Sequence, residues 1–378
     1  MRVAIVSQYI ATSDSTEFYQ SQQVNLAREL SHLGLEVDII TAKRLPNDPD
    51  EERLNEKTTI YRLPVIARWT ERFLNQLLVV RLWRQLDQGQ YTFIQSSDDC
   101  IFSTLSAAVY ALLKGSRLII YQGIYEYSKR KLVKTFMVFY DLIAGIILRQ
   151  ACWVAVCKTR RASEYLQKKG FRNTKVIPVG VDTTVFYPQP RKAKSNIELL
   201  AVGNLIPLKN YPLILETFSR LLAMDPNVRL TIIGSGPEKE WILNIAWQND
   251  LSGTLRLIEK VPNLQMREYY CQSDMLLLFS HTEIFGMVML EAMACGCPVM
   301  ATPTPGAVDV IVDGINGFII KDTDPSAIAT VIRDVLADSD LIDGVRCEAT
   351  RVAHERYAWP IIAHQYYNLY EMVADGKG

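Results

Sequence analysis

The chain of 378 residues is 49% hydrophobic and carries 41 Lys and Arg against 41 Asp and Glu. This composition excludes a disordered tail, a collagen-like repeat and a small disulfide scaffold, and the length suffices for two or three domains with cores of their own. The zero sum hides an asymmetry: residues 111–175 hold 14 basic and 3 acidic side chains, an excess of eleven, whereas residues 176–378 hold 16 basic and 24 acidic. The seven cysteines include no CxxC pair, and Cys295 and Cys297 stand too close for the usual zinc-ligand spacing, so reduced thiols are expected.

In chain order, Arg2–Ser7 is short, apolar and β-branched, which reads as a buried strand rather than the longer core of a signal peptide. Glu17–Leu33 follows a helical period through Val24, Leu26, Ala27, Leu30 and Leu33 and stops at Gly34 as a helix C-terminus does. Glu36–Thr41 is a second strand, and a helix between two such strands makes a βαβ unit in a parallel sheet covered on both faces. The adjacent Asp98 and Asp99 point in different directions and are expected to be solvated.

Two later stretches mix cations with large apolar residues. Arg68 to Leu86 interleaves Trp69, Phe73, Leu77, Leu82 and Trp83 with Arg72, Arg81 and Arg84. Tyr127 to Arg149 sets Lys129, Arg130, Lys131 and Lys134 ahead of Phe136, Phe139, Leu142, Ile143 and Ile146. Its apolar run contains Asp141 and falls short of the roughly 20 residues that span a bilayer. Such segments fit a basic amphipathic helix lying on an anionic membrane, and they equally fit a helix packed on a sheet with its charges solvated. No nucleic-acid-binding module accompanies the charge, so no nucleic acid partner is expected. The chain is expected to be cytoplasmic, with peripheral attachment to the inner face of the membrane as one form of that.

A Pro-, Lys- and Arg-rich segment over 178–194 reads as a hinge, and the alternation then restarts. Strands are expected at Glu198–Val202, Arg229–Ile233, Leu255–Ile258, Met275–Phe279, Val299–Ala301 and Gly317–Ile320. Helices are expected at Pro212–Met224, Met266–Gln272 and Met287–Ala294, with a last one over Arg356–Val373. The fold class is therefore α/β, with two Rossmann-like domains built on parallel sheets. The expected division is 1–186, 187–355 and a C-terminal helix over 356–378.

Ligands of doubly wound sheets lie outside the carboxyl ends of the strands. The richest loop there is Ser280–Val288, where Gly286 lets the backbone pass close to a ligand and a helix begins at Met287. The free first-turn N–H groups of that helix suit a phosphate. Glu283 and Glu291 flank the site eight residues apart; two carboxylates beside an anion site are repulsive unless they accept hydrogen bonds from hydroxyls, such as those of a sugar and a ribose. Standing alone, Glu291 would read as a favourable charge on a helix dipole.

The whole string resembles the E-x7-E signature of the retaining family 4 glycosyltransferases of GT-B fold. Gly234–Glu238 resembles the family's GxGPE loop, the run from Thr304 to Gly317 its Gly-, Glu- and Asp-Gly-containing stretch, and Val176–Asp182 with Phe186 its pattern before the linker. The resemblance implies two parallel sheets facing an interdomain cleft, a C-terminal helix, 356–378, that crosses back to the first domain, and a hexosyltransferase that moves sugar from a nucleotide-sugar donor to a glycan or lipid-linked acceptor in cell-envelope or exopolysaccharide synthesis. It further implies that the backbone at Gly286, Met287 and Val288 holds the donor diphosphate, that Glu291 takes the ribose hydroxyls and Glu283 a hydroxyl of the sugar, that Lys209 neutralises the leaving diphosphate, and that Val261 borders the base. Charge building on the diphosphate is met by Lys209 and the helix N-terminus, so neither cofactor nor metal is expected.

The sequence departs from the family's pattern at three places. Ala11–Glu17 lacks the usual Gly-Gly, Gln122 stands where the family has His near the donor sugar, and Asn204 stands where it has a phosphate-facing Arg. Gln122 can donate to a hydroxyl on the acceptor side, but Asn204 brings no charge. Two alternatives stay open, a degenerate glycosyltransferase acting as a binding subunit and a sugar-nucleotide epimerase of the same fold.

Overall fold

The computed structural model describes residues 1–8, 21–43, 45–66, 78–79, 81–127, 130–192 and 194–376. The loop Ala11–Glu17 and the side chains of Trp69, Arg72, Phe73, Leu77 and Lys129 lie outside them. Two compact units emerge: the described residues up to Val179 together with the stretch from Trp359, and Gly180–Ala358.

The first unit runs β1 (Arg2–Ser7), α1 (Gln22–His32), β2 (Glu36–Ala42), β3 (Glu51–Asn55), β4 (Thr58–Leu63), β5 (Val65–Ile66), β6 (Leu78–Val79), α2 (Leu82–Gly89), β7 (Phe93–Ser97), α3 (Phe102–Lys114), β8 (Arg117–Gln122), α4 (Lys131–Ala151), β9 (Cys152–Cys157), α5 (Arg160–Lys168) and β10 (Thr174–Val176). Its sheet has the order β10-β9-β8-β7-β1-β2-β4-β3 and is parallel except at the β3 edge. Central strands such as Val3–Val6 and Leu118–Tyr121 are buried throughout, as a sheet covered on both faces requires. Ser21 caps α1 by accepting the Val24 N–H.

Helix α4 turns Met137, Tyr140, Ala144 and Leu148 inward and leaves Leu132, Phe139, Leu142, Ile143 and Ile146 exposed, Leu132 at 88% and Leu142 at 67%. The aliphatic run read as one apolar segment is thus split between a packed face and a bare one.

The second unit runs β11 (Ile197–Val202), α6 (Tyr211–Met224), β12 (Val228–Ile233), α7 (Lys239–Gln248), β13 (Leu255–Ile258), α8 (Asn263–Gln272), β14 (Met275–Leu278), α9 (Met287–Ala294), β15 (Val299–Ala301), α10 (Pro305–Val310), β16 (Phe318–Ile319), α11 (Pro325–Ala337) and α12 (Ser339–Arg356). All six strands are parallel, in the order β13-β12-β11-β14-β15-β16. The chain leaves β11 toward β12 on one side and β14 toward β15 on the other, so the loops after β11 and β14 diverge and open a crevice at that switch point.

The last helix, expected over Arg356–Val373, is present and begins at Trp359. Helix α12 ends at Arg356, Ala358 bridges to Val181, and a new helix, α13, spans Trp359–Ala374. Helix α13 belongs to the first unit and buries Trp359, Ile362, Tyr366, Tyr370 and Val373; the Tyr370 hydroxyl donates to Gln95 Oε1 at 2.8 Å.

Candidate functional site

The switch point of the second unit gathers most of the sequence-selected residues. After β14 the chain passes Ser280–Phe285 and reaches Gly286 at φ 85°, the N-cap of α9. A residue with a side chain is strained there, so glycine sets the direction in which Met287 and Val288 open the helix. Their first-turn N–H groups have no helical acceptor by geometry.

The loop is held from two sides. Gly306, at the start of α10, lies so close to Phe285 that an added Cβ would come within 2.1 Å of the Phe285 carbonyl oxygen. Thr302 Oγ1 donates to the Ser280 carbonyl at 2.6 Å. The His281 N–H donates to the Leu208 carbonyl at 2.9 Å and joins this loop to the short 3-10 turn Pro207–Lys209 that follows β11.

On that turn Lys209 forms an ion pair with Glu283, both side chains 18% exposed. The lysine stem crosses Gly203, where a Cβ would sit 3.2 Å from Lys209 Cε. Gly234 and Gly236 approach the same loop: a Cβ on Gly234 would be 1.9 Å from the Gly203 carbonyl oxygen, and one on Gly236 2.5 Å from that of Leu205. The glycines of the loop after β12 thus serve backbone-to-backbone packing that shapes the Lys209 turn.

Glu291, one turn into α9, accepts a hydrogen bond from the Tyr270 hydroxyl of α8 at 2.8 Å. Burial pushes its carboxyl up to about 7, and the Tyr270 bond opposes that shift. Tyr270 itself was not singled out by sequence, because an aromatic residue on a helix reads as core. Val261 is buried, and Asn204 is exposed with its carbonyl accepting the Ile206 N–H at 2.9 Å. Gly286, Met287, Val288, Glu283 and Lys209 are therefore brought together, with Glu291 on the same helix.

Gln122 lies in the first unit, fully buried at the end of β8. Its Nε2 donates to Asp99 Oδ1 at 3.1 Å and to the Ile124 carbonyl at 2.9 Å, and its Oε1 accepts from the Asp99 N–H at 2.9 Å. Both amide protons are spent, so Gln122 braces a loop and has no donor free for a sugar hydroxyl. Asp99, expected to be solvated, is likewise fully buried and pairs with Lys169, which also meets Asp141 at 2.5 Å. Asp98 turns back at φ 50° and accepts the Gly123 and Ile124 N–H groups. The correction has a simple cause: Lys169, 70 residues along the chain from Asp99, supplies the countercharge that lets a carboxylate be buried.

Among the described residues no cluster of three or more His, Cys, Asp or Glu side chains could hold a metal ion.

Residues 183–350 match the family described as glycosyl transferases group 1, and residues 22–185 match glycosyltransferase family 4. A D-inositol 3-phosphate glycosyltransferase of Geodermatophilus obscurus is 34% identical over 210 residues, which is 51% of this chain and 47% of the relative. A GDP-mannose-dependent alpha-(1-6)-phosphatidylinositol monomannoside mannosyltransferase of Mycolicibacterium smegmatis is 29% identical over 178 residues, 43% of this chain and 47% of its own. The chain thus spans about half the length of these curated relatives. Among solved structures, the sucrose-phosphate synthase of Thermosynechococcus elongatus superposes with a TM-score of 0.79 over 99% of both chains at 18% identity. Anabaena HepE in complex with UDP-glucose superposes at 0.73 over 98% of this chain and 99% of its own, at 13% identity. The fold is GT-B, two Rossmann-like domains with largely parallel sheets.

Proposed function

With both halves matching glycosyltransferase families of GT-B fold, we propose that the chain transfers a hexosyl unit from a nucleotide-sugar donor to a glycan or lipid-linked acceptor, with retention at the anomeric carbon. The observation that carries this reading is the convergence, at the switch point of one sheet, of a lysine–glutamate pair with the N-terminus of α9 behind Gly286. The relatives named for inositol-phosphate and phosphatidylinositol-mannoside transfer, and the neighbour bound to UDP-glucose, favour such a donor and acceptor.

In this reading the donor diphosphate lies against the Met287 and Val288 N–H groups. The bond between the anomeric carbon and the diphosphate oxygen breaks; the negative charge left on the diphosphate is met by Lys209 and the helix N-terminus, without a metal ion. The acceptor hydroxyl attacks the face that the diphosphate leaves and passes its proton to the departing phosphate oxygen. Glu283 accepts from a hydroxyl of the sugar, Glu291 from the ribose, and Val261 borders the base. Glu283 pairs with Lys209, so a donor phosphate competes with that carboxylate for the lysine.

Turnover of a panel of UDP-, GDP- and ADP-sugars tests the reading, with and without a chelator. Lys209→Ala and Glu283→Ala are each expected to lower kcat by about a hundredfold or more, the scale of losing one charge-stabilising group, while a chelator leaves it unchanged. A protein that binds nucleotide tightly yet releases none with any acceptor would instead be a binding subunit, the alternative that the uncharged Asn204 favours.

The same reading gives α4 a role on the acceptor side. Its bare stripe of Leu132, Phe139, Leu142, Ile143 and Ile146 is flanked at the N-terminal end by exposed Arg130, Lys131 and Lys134. The helix's one acid, Asp141, is turned inward to Lys169. An exposed apolar stripe with a cluster of cations at one end suits an anionic bilayer surface. No helix among the described residues is long and apolar enough to cross a membrane.

A further inference from the structure

A second recess lies in the first unit, remote in sequence from every residue assigned above: a cavity of about 630 Å³ on the sheet face toward the β2, β4 and β3 edge. Helix α2 forms its wall. Arg81, Arg84, Gln85 and Gln88 all line the cavity, and their spacing puts them on one face of the helix, opposite the buried Leu82 and Leu86. Tyr61 of β4 contributes an aromatic ring and Lys43 a further cation.

The charges are unevenly committed. Arg2 is tied to Asp38 at 3.0 Å, the buried Arg62 to Glu52 at 2.5 Å, and Lys43 to the exposed Asp50 at 2.7 Å. Arg81 and Arg84 are exposed; Arg84 is in no ion pair among the described residues, and Arg81 lies close enough to Asp50, which also lines the cavity, to help hold that carboxyl below its ordinary value. Arg81 moreover holds φ 65° at the N-cap of α2, a conformation costly for a side chain as bulky as arginine. Two exposed guanidinium groups one helical turn apart, neither in a direct ion pair among the described residues, thus share one stripe with two amides and face a concave space within the range of ligand sites, about 300–1,000 Å³; of the two carboxylates on the same lining, Asp50 and Glu51, the first is already held by Lys43.

We propose that this cavity binds a segment of anionic glycan, sugar residues carrying carboxylate, phosphate or sulfate groups. The guanidinium forks of Arg81 and Arg84 match such groups. The amides of Gln85 and Gln88 both donate and accept, as a line of sugar hydroxyls requires. A bilayer fits worse, because the lining is concave and, apart from Leu63 and Pro64, almost free of aliphatic side chains. The site concerns how the protein holds a charged saccharide, and stands independently of the donor chemistry assigned to the second unit.

The test is calorimetry at low salt with a sulfated heparin pentasaccharide and, as the neutral control, maltopentaose. The full chain is expected to bind the sulfated probe at one site and the neutral one at least tenfold more weakly, and Arg81→Gln combined with Arg84→Gln to weaken the sulfated probe about tenfold or more. Nucleotide-induced stabilisation, which reads the second unit, should not change. Should the double variant unfold, Gln85→Glu, which sets a negative charge on the same wall, is expected to weaken binding in its place. Absence of binding by the unaltered protein, equal affinity for both probes, or equal affinity of the variants would overturn the proposal. So would variants that lose adhesion to phosphatidylglycerol vesicles while keeping the pentasaccharide, since the arginines would then serve a lipid.

Discussion

Glu291 and Asp99 are two buried carboxyls that burial pushes up. Beside Asp99 the Lys169 ammonium opposes that rise without cancelling it; beside Glu291 the Tyr270 hydroxyl opposes it, and the carboxyl rises from its ordinary 4.5 to about 7. The native state therefore keeps a proton on Glu291 between those two values, where the unfolded chain has lost it. Stability contributed by that proton is complete below about pH 4.5 and falls as pH rises through 7, with a slope of at most about 1.4 kcal/mol per unit. Denaturant titrations across this range are expected to show that slope, and Glu291→Gln to flatten it; an unaltered slope in the variant would assign it to another group. Neither environment follows from spacing. The pair Glu283 and Glu291 is legible as a motif, but the partners that tune it, Lys209 and Tyr270, come from other elements.

Among the elements, α9 and the loop before it depend on a contact that no local signal announces. Gly306 lets α10 touch the Phe285 backbone, since a Cβ there would fall 2.1 Å from a carbonyl oxygen that cannot rotate away. Gly306→Ala must therefore push Ser280–Gly286 and α10 apart. The expected result is a loss of about 1–3 kcal/mol of stability, the usual cost of overpacking, accompanied by weaker nucleotide binding measured as a smaller nucleotide-induced rise in Tm. Gly344 on α12, where an added Cβ meets nothing, is the matched control and should tolerate alanine in both measurements.

On the scale of the whole molecule, the neutral total divides into a basic stretch in the first unit and an acidic remainder in the second. The stretch around α4 bears the apolar stripe that a bilayer would cover. Phe139→Glu with Ile143→Glu changes two residues exposed at 61% and 58%, so folding should be unaffected. Cosedimentation with phosphatidylglycerol vesicles at low salt is expected to drop more than tenfold, since each side chain buried in the interface contributes roughly 1.5–3 kcal/mol. Failure of the unaltered protein to bind such vesicles would remove the membrane from the acceptor reading and leave the donor site as it stands.

The sequence by itself determined the α/β class, the parallel sheets, the strand positions and three of the helices in the second unit and the loop after β14, because apolar period, glycine punctuation and cap residues act within a few residues of one another. Tertiary structure alone decided the burial of Asp99 and Gln122, the division of α4 into a packed and a bare face, and the pairing of Lys209 with Glu283 across 74 residues of chain. The physical reason is shared: burial of charge and exposure of apolar surface depend on what a distant segment brings to the spot. A pattern read along the chain carries the period of a face, but not the neighbour that covers it or leaves it bare.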